Sequence, residues 1–208
     1  MSNDPLRDLL DRLELEVSFG HHHACIGATL EKMLTKAQWD IALEFWTYTL
    51  KAHFEAAVLG LTRILLDRDP RTVRLEELPL LMQSKAGQFA GMTNPGDVRS
   101  QLIPSVQREV EGLKSMVEPL KKRRDQMLSH NAFQRTLSDR EWNIEWADLE
   151  AAYSRALKLV NRVYEAYKGH DAMPVTGAKE ATVSKELSTI FSFARRSDSD
   201  PGGSPVGK

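Results

Sequence analysis

Apolar residues recur at intervals of three and four along most of this 208-residue chain, and that spacing restricts the fold more than any other feature. The longest run consists of Trp39, Leu43, Trp46, Leu50, Phe54, Ala57, Leu61 and Ile64. This period places the apolar side chains on one side of an α-helix, and Thr35 with Gln38 resembles the capping box that begins one. No segment shows the alternating pattern of a strand. The sequence therefore predicts an all-α fold.

Three further segments share the helical spacing. They predict a first helix that breaks at Gly20, a long helix whose apolar stripe ends at Leu120, and a last helix that Gly169 terminates. Together with the run from Trp39, they predict a four-helix-bundle-like domain over residues 1–170, with an extra N-terminal helical segment.

The remaining residues, 171–208, form a polar C-terminal tail that ends in SDSDPGGSPVGK. A short amphipathic helix is predicted within it, over 184–195. The rest of the tail contains too few apolar residues to support a packed core, so we expect it to be flexible and disordered.

Composition restricts the compartment and the type of nucleic-acid contact. Cys25 is the single cysteine, so no disulfide forms within the chain, and a reducing compartment such as the cytoplasm is expected. No run of 18 apolar residues is present, so we expect no membrane association.

The charges of the chain nearly balance: Lys and Arg number 28 against 29 Asp and Glu, which gives a net charge of -1. This near-neutral charge argues against a broad basic surface that binds nucleic acid nonspecifically. Any contact with RNA is instead expected at a local basic cluster, formed by Lys121, Lys122, Arg123 and Arg124.

Other signals of cofactor or metal chemistry are weak. His21, His22 and His23 are adjacent, and adjacent helical residues point about 100° apart, so they do not converge on one ion. His21 with Cys25 gives only two ligands, and no nucleotide-binding or hydrolase fingerprint is present. We therefore expect no metal and no cofactor. Trp39, Trp46 and Trp146 lie on apolar stripes and are interpreted as core residues rather than base-stacking platforms.

One arginine departs from the helical pattern. The stripe through Val117 and Leu120 continues, four residues later, to Arg124. Burying a guanidinium without a partner is unfavourable, so this side chain is expected at an open end of the helices, in a subunit interface, or beside an anion. A purely structural interpretation also exists, because cations near a helix C-terminus interact favourably with the helix dipole. Under that interpretation Asp125 is a solvated charge and His130 donates to a helix-end carbonyl.

The spacing between Arg124 and His130 restricts any shared site. Six residues on a regular helix correspond to a rise of about 9 Å and a rotation of roughly 120°. One regular helix does not direct both side chains at one phosphate. The alternatives are a distortion near Ser129, a two-fold dimer that combines Arg124 of one protomer with His130 of the other, or no shared site.

The segment from Arg124 to His130, Arg-Asp-Gln-Met-Leu-Ser-His, resembles the motif of the HEPN superfamily, and within it the AbiU-like abortive-infection proteins; the following Asn131 also fits. The resemblance implies a metal-independent ribonuclease that acts as a homodimer, often in toxin-antitoxin or phage-defence systems with a cognate antitoxin. Arg124 and His130 would be its active residues, and Asp125 would be the polar position of the motif. The basic cluster and Asn131 would contact RNA.

This chemistry is consistent with the residue types. RNA supplies its own nucleophile, the 2′-OH, so a histidine that moves a proton and an arginine that stabilises phosphate charge suffice to leave a 2′,3′-cyclic phosphate. DNA lacks that nucleophile and is not expected as a substrate. Two alternatives stay open: a catalytically inactive dimerisation or protein-interaction module, and a module that binds RNA without cleavage.

Overall fold

A computed structural model of the protein describes residues 4–92, 94–128, 145–169, 182 and 185–189. Over these residues six helices exceed one turn: α1 (Pro5–Met33), α2 (Lys36–Ile41), α3 (Leu43–Leu66), α4 (Leu78–Lys85), α5 (Ile103–Leu128) and α6 (Trp146–Lys168). Short 3-10 turns at Leu75–Glu77 and Ala86–Gln88 flank α4, and a π-helical segment at Val98–Leu102 leads into α5. No strand occurs in the described part of the chain. The all-α prediction is confirmed.

The four long helices, α1, α3, α5 and α6, share one hydrophobic core, to which α4 adds Leu78 and Met82. α1 packs along α3 and α6, and α3 packs along α5. The N-terminal segment therefore belongs to the core and is not an appendage to it. A regular four-helix bundle stays a prediction, as does the domain boundary at residue 170. None of the helices in the described ranges combines the length and apolarity needed to cross a membrane.

α1 is continuous through Gly20, so the predicted break at this glycine is wrong. The glycine has a packing role instead: a Cβ there would overlap the Tyr153 side chain of α6. Gly60 on α3 faces the same hydroxyl, which donates a hydrogen bond of 2.6 Å to the Ala57 carbonyl. Two glycines thus form a notch that admits a large buried side chain between three helices.

The predicted helix from Thr35 to Ile64 is divided in two. Ala42, with φ -141° and ψ 45°, separates α2 from α3. Trp39 on α2 and Trp46 on α3 both pack against Leu30 and Leu34 at the end of α1. The break changes the direction of the chain so that both indoles reach this second cluster, and apolar periodicity does not reveal such a change.

The loop that follows α4 provides hydrogen-bond donors for the last backbone carbonyls of α6. The amides of Ala90 and Gly91 donate to the carbonyls of Tyr167 and Ala166, at 3.1 and 3.0 Å. The last carbonyls of a helix lack intrahelical partners, so these bonds fix the loop to the helix end. Gly169 follows at φ 70°, a conformation that glycine adopts readily.

We expect Asp4→Ala to lower the free energy of unfolding by about 1–2 kcal/mol, because this carboxylate caps α1 and also joins α1 to α6. Its Oδ1 accepts from the Arg7 amide at 3.2 Å, and its Oδ2 accepts from the Tyr167 hydroxyl at 2.6 Å. Burial and this hydrogen bond raise the pKa of Tyr167 to about 12. Urea unfolding measures the change, with Asp8→Ala in the same exposed first turn as the control. Equal losses in the two variants would contradict a capping role.

Candidate functional site

The predicted basic cluster belongs to the last turns of α5. Val106, Val110, Leu113, Val117 and Leu120 are all buried, which confirms the predicted apolar stripe. The helix continues to Leu128, so Arg124 occupies the register position one turn after Leu120. Among the other predicted site residues, Lys121 and Asp125 are exposed, and Lys122 and Arg123 lie on the helix between them. His130 and Asn131 fall in 129–144, outside the described residues.

The end of α5 lies beside the beginning of α6. Gly91, in the loop that leads through the π-helical segment to α5, donates a hydrogen bond to Ala166 near the end of α6. Arg155, earlier in α6, forms an ion pair of 3.0 Å with Glu109 in the first half of α5. The two helices are therefore antiparallel. Trp146, which begins α6, also packs closely against Gly27 near the end of α1. The last turn of α5, the start of α6 and the end of α1 thus share one end of the molecule, hereafter the motif end.

A cavity of about 620 Å³ opens at the motif end. Its walls come from α1, α3 and α6: Ala28, Glu31, Lys32, Phe54, Glu145, Trp146, Ala147 and Glu150. Three carboxylates and one ammonium group do not favour a phosphate, so the acidic cavity and the basic turn of α5 have different ligand chemistry. The Trp146 ring stacks edge-on against Phe54 at 5.1 Å between centroids, as its interpretation as a packing residue requires.

A histidine pair joins α1 to α3, and no spacing in the sequence indicates it. Nδ1 of His23 lies 2.8 Å from Nδ1 of His53, thirty residues further along. One neutral imidazole can donate to the other at this distance. His21 and Cys25, which the sequence offers as only two metal ligands, are in contact, with Nε2 and Sγ 3.5 Å apart. Within the described residues, no group of three or more His, Cys, Asp or Glu side chains is arranged to hold a metal ion.

These histidines predict that the protein loses stability below about pH 6.5. Burial, together with the charge of His22, lowers the pKa of His21 and His23, and burial with the charges of His23 and His22 lowers the pKa of His53. Unfolded histidine has a pKa near 6.5, so below that pH the unfolded chain binds more protons than the folded chain. Stability is therefore greatest above this pH and falls as pH decreases towards the folded pKa values.

Urea midpoints measured at pH 8 and pH 5.5 test this expectation. His53→Gln removes one titrating ring but keeps an amide that can bond to His23, so the loss between the two pH values should be smaller than in the wild type. A pH dependence unchanged by this substitution would show that the pair is not its source.

Comparison of the chain with curated proteins and with solved structures finds no match. A family model does match: that of AbiU2, a family of HEPN domains, aligns with residues 4–187. The match spans all six helices and the 124–130 motif. The chain therefore belongs to the HEPN_AbiU2 family.

Proposed function

We propose that this protein is a metal-independent endoribonuclease of the HEPN toxin or phage-defence type, acting in the cytoplasm. The observation that supports the proposal best is the register of α5. Its stripe is buried as far as Leu120 among the side chains that the structure describes, and the next position in that register is an arginine rather than an apolar residue. The arginine begins the Arg124–His130 motif, in a chain whose family bears the name of abortive-infection proteins.

The proposed reaction needs only the groups of this motif and of RNA. His130 accepts the proton of the 2′-OH, whose oxygen then attacks the adjacent phosphorus. The bond from phosphorus to O5′ breaks, and O5′ takes up a proton, which balances the one that His130 has removed from the 2′-OH. The products are a 2′,3′-cyclic phosphate and a 5′-hydroxyl. Arg124 stabilises the charge on the phosphoryl oxygens in the transition state. Asp125 is proposed to orient the motif, because a carboxylate in the helix turn beside Arg124 can hold a cationic or N–H partner.

The charges at the motif end are consistent with local binding of RNA. Lys121, Lys122, Arg123 and Arg124 place four cations within one helical turn of a chain whose net charge is -1. Together with Asn131 they are proposed to contact the phosphates on either side of the cleaved bond. The cavity lined by Glu31, Glu145 and Glu150 would repel phosphate and thereby restrict the backbone to the α5 side.

Arg124 and His130 are proposed to act across a homodimer, because a regular helix separates them by about 120°. Mixing inactive Arg124→Ala and His130→Ala proteins tests this. If each site takes its arginine from one protomer and its histidine from the other, half of the dimers in a 1:1 mixture are heterodimers with one intact site. About a quarter of the wild-type activity should then return. A mixture that stays inactive while subunits exchange would place both groups of a site in one protomer.

Cleavage of a mixed pool of transfer and messenger RNA in excess EDTA tests the function itself. Fragments with 2′,3′-cyclic phosphate and 5′-hydroxyl ends would support the proposal. Cleavage that requires added Mg²⁺, or products with 3′-hydroxyl ends, would contradict it. RNA binding without any product would favour the binding module.

Exposed apolar side chains favour a protein-interaction role as the second candidate. Leu15 and Phe19 on α1 are 71% and 61% exposed, and Phe45 and Tyr48 on α3 are 60% and 55% exposed. The members of each pair are three or four residues apart and so share a face of their helix, and exposed apolar side chains arranged in this way are typical of contacts with another protein. A cognate antitoxin or a second copy of the chain would cover them. Copurification of a stable inactive complex from the native operon would support this role.

A further inference from the structure

A second hydrophobic cluster lies apart from the main core, at the motif end. Leu30 and Leu34 of α1 are buried there, and Ile26, Met33, Trp39, Trp46 and Leu50 pack around them. One more side chain packs against this cluster: Leu187, from the C-terminal tail. The sequence predicts a short helix near this position and does not indicate what it contacts.

The tail must travel far to reach this cluster. The last helix, α6, ends at Lys168, and Gly169 follows it next to Ala90 and close to the start of α1, where Tyr167 bonds to Asp4. From there, the level of Leu30 is about 39 Å away along α1, at 1.5 Å per residue. The fifteen residues from 170 to 184 reach about 50 Å when extended. The chain is therefore long enough to return along the molecule, with little length to spare.

The part of the tail at the cluster has the pattern of a docked amphipathic helix. Lys185–Thr189 is helical, and the Thr189 hydroxyl donates to the Lys185 carbonyl at 2.9 Å. Leu187 is partly buried, whereas its neighbours Glu186 and Ser188 are exposed. Beyond the described residues, the sequence continues with Ile190, Phe191 and Ala194, three, four and seven positions after Leu187. That spacing would extend one apolar face.

The family match is an independent observation on the same segment. It continues past the end of α6 and ends at residue 187. The family model thus covers the linker and the beginning of the docked segment. A tail with no structural role would have no reason to be part of it.

We propose that the C-terminal segment beginning at Lys185 is a strap that returns to the motif end and docks, within the same chain, in a groove formed by the end of α1, by α2 and by the start of α3. Leu187 is its anchor. The groove is thus a binding site for a short amphipathic helix, and its occupant is the chain's own tail. The strap packs against the same cluster as Trp39 and Trp46, both of which are partly buried, so its release is expected to expose these indoles.

Two tail substitutions in the full-length protein test the strap. Leu187→Asp introduces a charge on the docked face, and Ser188→Asp introduces the same charge one residue later, on the exposed face. For Leu187→Asp we expect tryptophan emission to shift to longer wavelength and amides in 36–50 to exchange hydrogen at least tenfold faster. Ser188→Asp should resemble the wild type in both measurements.

A synthetic peptide covering residues 183–196, added to Leu187→Asp, should restore the slow exchange, because the groove itself is unchanged. If the two variants behave alike, or if the peptide has no effect, the proposal is wrong. Protection of 36–50 that disappears on dilution of the wild type would show docking onto a second copy and would also overturn it. None of these measurements uses RNA, so the results can contradict the strap without contradicting the proposed nuclease function, and the cleavage assays can contradict the nuclease function without contradicting the strap.

Discussion

His130→Ala is expected to reduce RNA cleavage by about 10²–10⁴-fold while leaving the fold intact. General acid and base catalysis by one positioned histidine contributes a factor of that size, and no other histidine belongs to the motif. The rate of appearance of 2′,3′-cyclic phosphate ends in EDTA measures the loss. RNA binding should change little, because the cations from Lys121 to Arg124 are retained.

His22→Ala provides the matched control for this experiment. This histidine is exposed on α1 and has no role in the proposed site. Its variant should cleave RNA at the wild-type rate. Cleavage by His130→Ala that equals that of the control would refute the assignment of the proton-transfer group. Circular dichroism of both variants checks that neither has unfolded.

The same assay distinguishes Arg124 from the neighbouring Arg123 as the arginine that stabilises the transition state. Arg123 precedes His130 by seven residues and would therefore share a helical face with it, whereas Arg124 continues the buried stripe. We expect Arg124→Ala to lower the cleavage rate more than Arg123→Ala does. Arg108→Ala, on the exposed surface of the same helix, should have no effect. A larger loss in Arg123→Ala would transfer the catalytic role to that residue.

Gly20→Ala is expected to destabilise the protein by about 3 kcal/mol or more. Replacing glycine by alanine inside a helix normally stabilises the helix by about 1 kcal/mol. Whether the substitution stabilises or destabilises this protein therefore depends on the packing around the new methyl group. Here the new methyl group would overlap the ring of Tyr153, which is fully buried and holds the Ala57 carbonyl by its hydroxyl. Neither α1 nor α6 can move away without disturbing the core that they share. A domain of ordinary stability would lose a large fraction of its free energy of unfolding.

Gly112→Ala is the matched control, since this glycine also lies inside a long helix. A Cβ there would meet only the Nη2 atom of Arg155, the mobile end of a flexible side chain, at 3.2 Å. Its variant should be neutral or slightly more stable. Urea midpoints of the two variants measure the difference. If Gly20→Ala were as stable as Gly112→Ala, the notch would not be a packing requirement.

Local patterns in the sequence were sufficient for several features. The apolar period identified the buried face of α5 from Val106 to Leu120, because helical geometry alone relates spacing to direction. The same period indicates that Trp146 is a packing residue, and it contacts Phe54. The assignment of Arg124 and His130 as active residues also rests on their order along the chain and stays a prediction.

Other features depend on contacts between distant segments. Gly20 was predicted to break α1, yet the residue that explains it, Tyr153, lies on another helix. The break at Ala42 follows from the positions of Trp39 and Trp46 around the end of α1. His53 reaches His23 only because α1 and α3 pack side by side. Periodicity reports which face of a helix is apolar and not which residue of another helix it meets.

Relations between neighbours within a few positions are enough to indicate that the chain is helical, where its main apolar faces lie, and that the segment from Arg124 to His130 resembles the HEPN motif. Contacts between distant segments account for the remaining features: the continuity of the first helix, the acidic cavity between the end of α1 and the start of α6, and the return of Leu187 to the cluster around Leu30. These depend on the complementarity of surfaces far apart in the chain, and a pattern of single residues does not contain that complementarity.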